Sequence, residues 1–337
     1  MIRRIFTQSL LAATLLGCTA QIEPSNVGEA QAPVSQQIPE LVDAGWDLVW
    51  SDEFDGTAID RAKWDFDINC WGGGNDERQC YTDSARNASI NNGSLVITAR
   101  KETTTGPALP LHMRTNAANP SATASKPYSS ARMVTRGRAA WKYGKIEVRA
   151  RLPQGQGTWP AIWMLPEDDV YGSWARSGEI DILEAVNLGV QCPRSKGCEE
   201  GGENTILGTL HFGGAWPDND LASTEISYPA VLDGGYHTYG LLWGEGVFVW
   251  TVDGKPFAIK RASDWFTTSS NDPNAPFDQR FHLILNLAIG GGLPEERALG
   301  GVDETGFPKH LTIDWVRVWQ CDEDRDRGTA CILGKDN

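Results

Sequence analysis

Short runs of β-branched and aromatic residues, several of them alternating apolar with polar positions, recur along most of this chain. The clearest runs are residues 94–99, 144–150, 247–252 and 312–318. This alternation is typical of strands that bury one face, and the Asp253-Gly254 pair after the third run indicates a hairpin turn. No long segment of the sequence shows a sustained helical period. The pattern therefore predicts an all-β fold, a sandwich or a barrel, rather than an α/β fold.

The first residues have the composition of an export signal. Arg3 and Arg4 precede an apolar stretch at residues 10–16, which is too short for a permanent membrane helix. The stretch ends in Leu15-Leu16-Gly17-Cys18, which resembles a bacterial lipoprotein cleavage site and implies lipid on Cys18. An ordinary secretory peptide with a chance cysteine is the alternative. We expect an exported protein, either secreted or held at the bacterial cell envelope, with membrane contact only through Cys18.

Composition divides the rest of the chain into three parts. Residues 18–44 are rich in Gln, Pro, Ser and Ala and are predicted to be a flexible tether, after a signal peptide at 1–17. Residues 45–320 are predicted to form one domain, followed by a tail at 321–337. The net charge of −14 disfavours nucleic acid as a partner, because phosphates need a basic face. We expect a monomer.

Six cysteines besides Cys18 fall into three local pairs, which are Cys70 with Cys80, Cys192 with Cys198, and Cys321 with Cys331. An even number in an exported protein indicates disulfides, and pairing within each local pair is our prediction, although other connectivities are possible. A zinc site is the alternative, but the tight Cys-x-x-Cys clusters that zinc favours do not occur.

Three acidic residues, Glu179, Asp181 and Glu184, are interleaved with aliphatic residues in one short segment. On a helix, Glu179 and Asp181 would lie roughly 200° apart, whereas on a strand they share a face. Glu184 then has the opposite parity, and a single β-bulge near residues 182–183 would return it to that face. The spacing therefore predicts three carboxyl groups along one bulged strand.

Three neighbouring carboxyl groups disfavour one another's charge, so at least one pKa should be raised. Glycoside hydrolysis needs this division, with one ionised carboxylate and one protonated acid. An acidic, solvent-facing stripe is the alternative interpretation of this segment.

The segment Gly178-Glu179-Ile180-Asp181-Ile182-Leu183-Glu184 resembles the active-site signature of glycoside hydrolase family 16, in its bulged, laminarinase-type form. Flanking segments also resemble those of the family and occur in the same order, from about residue 46 to residue 320. They are 143–150, 157–166, 208–214, 236–239, 281–288 and 313–319. The resemblance implies a jelly-roll β-sandwich of two curved antiparallel sheets, with an open substrate cleft on the concave face.

The resemblance also implies roles for the acids. Glu179 matches the nucleophile, Glu184 the acid/base, and Asp181 the acid that holds the nucleophile and tunes its charge. It implies double displacement with retention, for which the two carboxyl groups should lie about 5–5.5 Å apart, and no cofactor for catalysis.

Several aromatic and polar residues match substrate-binding positions of the family. Trp163 and Trp174 match cleft residues that stack on sugar rings, with core packing as the alternative, and Trp159 stays open between cleft and core. His211 matches a histidine beside the acids, which could bind Asp181 or the sugar. Asn75, in the segment that also holds Glu77, and Arg86 match residues of the non-reducing side.

A structural calcium ion is implied on the convex face. Its oxygen ligands match Glu53, Gly93 and Asp314, although both acids could be ordinary surface residues. One departure from the family pattern is an insertion around Cys192 and Cys198, just after the acidic strand.

The resulting prediction is an endo-acting hydrolase of laminarin-like β-1,3-glucan, a polysaccharide substrate. Mixed-linkage β-glucan and marine galactan are alternative substrates. A non-catalytic glucan-recognition protein is the alternative from another class, but such proteins typically lack one or both glutamates.

Overall fold

Two β-sheets form the framework of the computed structural model, which describes residues 41–191, 202–297 and 301–334. The ten-stranded sheet comprises β1 (Trp46–Asp52), β3 (Gln79–Tyr81), β4 (Ala88–Asn91), β5 (Ser94–Pro107), β6 (Thr123–Ser130), β8 (Gly144–Arg151), β13 (His237–Gly244), β14 (Val247–Val252), β15 (Lys255–Arg261) and β17 (Lys309–Cys321). The seven-stranded sheet comprises β2 (Asp65–Phe66), β7 (Arg132–Val134), β9 (Thr158–Pro166), β10 (Glu179–Glu184), β11 (Thr205–Gly213), β12 (Asn219–Ser227) and β16 (Phe281–Ile289).

Helices in the described ranges are short: α1 (Leu111–Arg114), α2 (Gly292–Glu296), α3 (Ala330–Leu333) and 3-10 turns at Trp174–Arg176, Pro229–Leu232 and Ala262–Asp264. None of them is long and apolar enough to cross a membrane. The prediction of an all-β fold is confirmed. The four strand-like runs of the sequence lie in β5, β8, β14 and β17, and the left-handed residues Asp253 and Gly254 join β14 to β15.

Strand alternation builds the core between the two sheets. On β16, every second residue from Phe281 to Ile289 points inward and is fully buried in the core cluster. The residues between them, including Asn286, have the opposite parity and so point to the outer face of the seven-stranded sheet. The sheet order β12-β11-β10-β9-β16-β7-β2 puts the acidic strand β10 near the middle of that face.

Both ends of the predicted domain extend further than the sequence indicated. The backbone N–H of Val42 donates to the carbonyl of Ile332 at 3.1 Å, and Leu41 packs against the cluster that buries Ile332. Residues from the predicted tether and the predicted tail therefore belong to the folded domain, because their apolar side chains pack against those of β13 and β14.

Two of the predicted disulfides are present, Cys70–Cys80 and Cys321–Cys331. The predicted pair of Cys192 and Cys198 lies outside the described residues, as do the export signal and Cys18. Lipidation and the export signal stay predictions.

Candidate active site

The acidic strand β10 contains the predicted bulge. Asp181 pairs with Trp163 on β9 and Thr209 on β11, whereas Glu184 pairs with Ala161 and Leu207. Asp181 and Glu184 are three residues apart, but their partners on each neighbouring strand are two apart, so β10 holds one extra residue. All three acids therefore share the outer face of the sheet.

A tryptophan from the other sheet supports the bulge from below. The extra residue in β10 interrupts the regular hydrogen bonding between the strands. At this point the main-chain oxygen of Asp181 accepts a hydrogen bond from Trp250 Nε1 at 2.8 Å. Trp250 is fully buried on β14. It can reach β10 because Gly208 has no side chain: a Cβ there would lie 2.4 Å from Trp250 Cδ1.

Each glutamate is held by its own indole. Trp174 Nε1 donates to Glu179 at 2.8 Å, and Trp159 Nε1 donates to Glu184 at 2.9 Å. Trp174 has a left-handed backbone (φ 47°) in the 3-10 turn before β10, which aims its indole back at the strand. Both carboxyl groups are thereby fixed in orientation before any ligand binds.

His211 lies between two of the acids. It pairs across the ladder with Glu179, and its Nε2 lies 3.2 Å from Asp181 Oδ2 and 3.7 Å from Glu179 Oε1. Its ring also lies beside that of Trp174, with centroids 5.9 Å apart. The prediction that His211 lies next to Asp181 is confirmed, and a sugar contact stays a prediction.

Burial and mutual repulsion shift the titration of the site. Burial raises the pKa of Glu179 to about 7 and that of Glu184 to about 8, and the negative charge of Asp181 adds to both shifts. Burial disfavours the cationic form of His211, but its interactions with the three acids outweigh this and raise its pKa to about 10. At neutral pH the site can therefore hold a proton on one glutamate while the other is ionised.

The three predicted tryptophans all lie at this face. From the sequence, Trp159 could lie either in the core or in the cleft. It is only 8% exposed and donates to Glu184, so it is both a buried residue and part of the site. Trp163 is partly exposed beside Asp181. Asn75 lies near Trp159. The N–H of Gly292 donates to the Asn75 carbonyl at 2.8 Å, and a Cβ on the adjacent Gly291 would lie 2.9 Å from that carbonyl oxygen and 3.2 Å from the Trp159 ring.

Arg86 makes its contacts away from this group. Its guanidinium is exposed and pairs with Glu102 at 2.7 Å, and its carbonyl accepts from Arg100. A sugar contact of Arg86 stays a prediction.

Sequence reasoning missed the residues that support the site from a distance. These residues come from strands other than β10: Trp250, Gly208, Asn286 and Arg132. The sequence marks tryptophan and glycine positions in strand segments, but it does not show which of them contact one another.

The chemistry of this arrangement follows from its geometry. Two carboxyl groups on one face, with raised and separated pKa values, can act as a nucleophile and a proton donor. Tryptophan rings beside them provide flat apolar faces of the kind that sugars stack on.

Comparisons with known proteins agree with this chemistry. Residues 75–317 match the model of the family "Glycosyl hydrolases family 16". Over 82% of its length the chain is 38% identical to the glucan endo-1,3-beta-glucosidase A1 of Niallia circulans, of which it spans 38%, and 38% identical to a beta-glucanase of Rhodothermus marinus, of which it spans 85%. The crystal structure of the laminarinase from Rhodothermus marinus superposes with a TM-score of 0.64 at 37% identity, covering 81% of this chain and 97% of that one.

Family membership confirms the jelly-roll sandwich. With this sheet architecture and a family match over most of the folded domain, the chain belongs to glycosyl hydrolases family 16.

Proposed function

We propose that the protein is an endo-acting, retaining hydrolase of laminarin-like β-1,3-glucan. The observation that carries the proposal is the bulge of β10, which brings Glu179 and Glu184 to one face with a tryptophan N–H on each. The names of the Niallia and Rhodothermus relatives support glucan, and the β-1,3 linkage in particular. The relatives' substrates are the reason for preferring glucan to galactan.

The reaction takes two steps. Glu184, protonated at neutral pH, donates its proton to the glycosidic oxygen while ionised Glu179 attacks the anomeric carbon, forming a glycosyl-enzyme. Glu184 then takes a proton from water, which attacks the same carbon and releases Glu179 with retention of configuration.

Asp181 and His211 act on these charges without reacting. The Asp181 charge favours the protonated form of each glutamate, whereas the His211 cation favours the ionised form. Trp174 holds Glu179 through Oε2, and the other carboxylate oxygen, Oε1, faces His211 at 3.7 Å. Family 16 chemistry of this kind uses no catalytic cofactor.

A glucan-recognition protein is the alternative from another class. Both glutamates are present and share one face of β10, which favours catalysis over simple recognition.

The test is release of reducing sugar from laminarin, with lichenan and agarose as parallel substrates. The wild type should act best on laminarin, and Glu179→Gln should lower kcat by about 10⁴-fold or more, because it removes the nucleophile. Glu304→Gln is the matched control, since Glu304 is an exposed glutamate that pairs with Lys101. Wild-type protein that binds laminarin and releases no sugar would identify a recognition protein, and a preference for lichenan or agarose would reassign the substrate.

A structural calcium ion is also part of the proposal. What supports it is the strand register around β17, where pairing with β5 ends at Ile313 and pairing with β1 begins at Val316. Asp314 lies in that interval, at an irregularity in the ladder with β8. Glu53 follows β1, and Gly93 forms the turn between β4 and β5.

Oxygen ligands from three separate segments are of the kind that calcium takes. The carboxylates of Glu53 and Asp314 also pair with Arg317 and Arg149 respectively, so an ion there would share these groups with the arginines or use main-chain oxygens. Its contribution would be to join β1, the β4–β5 turn and β17.

A further inference from the structure

A chain of buried hydrogen bonds runs from Trp163 to Glu77. Trp163 Nε1 donates to Asn286 Oδ1 at 2.6 Å, Asn286 Nδ2 donates to the Tyr81 hydroxyl at 3.1 Å, and that hydroxyl donates to Glu77 Oε2 at 3.1 Å. Glu77, Tyr81 and Asn286 are between 2% and 7% exposed. Only Trp163 among the four is partly exposed at the outer face.

The direction of every hydrogen bond in this chain is determined by its two ends. An indole N–H can only donate, so Asn286 must present its oxygen to Trp163 and its amide N–H to Tyr81. The Tyr81 hydroxyl is then free to donate to the Glu77 carboxylate, and burial beside Glu77 keeps it protonated by raising its pKa well above the ordinary value. Removing the Tyr81 hydroxyl takes away the acceptor of the buried Asn286 amide N–H and one of the donors to Glu77, and losing a partner in a buried site is costly.

The far end of the chain is itself anchored. Gln79 Nε2 donates to the same Glu77 oxygen at 2.6 Å, and Gln79 Oε1 accepts from the backbone of Ile289 at 2.8 Å. Glu77 and Gln79 therefore attach the segment closed by the Cys70–Cys80 disulfide to strand β16.

Trp163 is the end of this hydrogen-bond chain that lies next to the acidic residues of β10. It lies directly across the ladder from Asp181, and the guanidinium of Arg132 lies 4.5 Å from the centre of its ring. Because its N–H is already used by Asn286, Trp163 can contact a ligand through its ring rather than through a hydrogen bond. Stacking of such a ring on a sugar is strongest when the plane of the ring is held in one orientation.

We propose that Glu77, Tyr81 and Asn286 are positioning residues that fix the ring of Trp163 for stacking against a sugar of the bound glucan. This role rests on the proposed function. It gives the buried polar residues a part in substrate affinity, although none of them lies among the reacting groups.

The first test is Tyr81→Phe, which removes one hydroxyl and keeps the ring. The KM for laminarin should rise about five- to tenfold with kcat changed less than about twofold, because a loosened platform weakens binding without touching the reacting groups. Tyr128→Phe is the matched control, since Tyr128 is an equally buried tyrosine that stacks on Phe307 outside this chain of hydrogen bonds. It should keep the wild-type KM even where its melting temperature falls.

A double-mutant cycle separates positioning from general stability. Trp163→Phe keeps an aromatic ring and lacks the N–H, so adding Tyr81→Phe in that background should change KM by less than about twofold. Effects that multiply in the double variant would overturn the proposal, as would an unchanged KM in Tyr81→Phe.

Two further outcomes are informative. If Tyr81→Phe does not fold, Glu77→Gln takes its place, and a KM rise below about twofold in that variant would contradict the positioning role. Wild-type protein without activity on laminarin would instead overturn the proposed function, so the two failures are distinct.

Discussion

At the scale of single residues, Glu179 and Glu184 differ less in environment than their proposed roles require. Both are mostly buried, both accept an indole N–H, and both feel the charge of Asp181. The charge of His211 favours the ionised form of both glutamates, but His211 pairs with Glu179 across the ladder, with 3.7 Å between Nε2 and Oε1. This contact with a cation favours Glu179 as the ionised nucleophile.

This division predicts a bell-shaped pH profile. The kcat/KM for laminarin should rise as pH increases through about 7, where Glu179 loses its proton, and fall through about 8, where Glu184 loses its own. His211→Asn removes a cation that stabilises both carboxylates, so both limbs should move to higher pH. His310→Asn, at an exposed position on β17, is the control and should leave the profile in place; a His211→Asn profile that moves to lower pH would contradict this electrostatic account.

The same burial predicts a cost in stability. The folded pKa of Glu184, about 8, lies above its ordinary value of 4.5, so the folded state favours the proton and loses stability as pH rises from about 4.5 to about 8. Glu184→Gln removes this cost and should raise the free energy of unfolding by about 1–2 kcal/mol at pH 9, with almost no gain at pH 4.5. Denaturant melts at the two pH values measure the difference, and Glu304→Gln should show none; an equal gain at both pH values would mean that charge burial is not its cause.

At the scale of secondary-structure elements, the bulge of β10 depends on a contact between the two sheets. Trp250 can donate to Asp181 only because Gly208 leaves room for the indole. The glycine is needed here for close approach rather than for a left-handed backbone, since its φ is not positive.

Gly208→Ala should therefore damage both stability and catalysis. The new methyl group would overlap the rigid indole of Trp250, which should cost about 1–3 kcal/mol of stability and lower kcat about tenfold or more as the bulge loses its support. Gly56→Ala, where the nearest atom to a new Cβ is 3.5 Å away, is the control. Trp250→Phe, which removes the N–H and keeps an aromatic ring, should lower kcat in the same direction, and normal kcat in both variants would show that the bulge needs no such support.

The strand and its bulge could be predicted because side-chain parity is a local property of the sequence. Three acids with this spacing can share a face only on a bulged strand. The contact of Trp250 with Asp181 joins residues 69 positions apart, and no local pattern indicates which buried tryptophan reaches which strand. Trp159 shows the same limit, since burial and a place in the site were treated as alternatives and the structure combines them.

At the scale of the whole molecule, β17 joins segments from both ends of the domain. It pairs with β1, β5 and β8, and its last residue, Cys321, forms the disulfide with Cys331 in α3. The interval around Asp314 is the one place on β17 where β5 has ended and β1 has not begun. An ion at that place would connect segments that no continuous ladder joins.

Calcium should consequently raise the melting temperature and leave the chemistry unchanged. An ion that binds only the folded state stabilises it by mass action, so a chelator should lower the melting temperature and added calcium should restore it. Asp314→Asn should abolish this response, whereas Asp326→Asn, at an exposed acid near the C-terminus, should retain it. Because Asp314 belongs to the ten-stranded sheet and the glutamates to the seven-stranded one, kcat on laminarin well below the melting temperature should be the same with and without chelator. A wild-type melting temperature that responds to neither chelator nor calcium would mean that the pairs Glu53–Arg317 and Asp314–Arg149 hold these segments together without an ion.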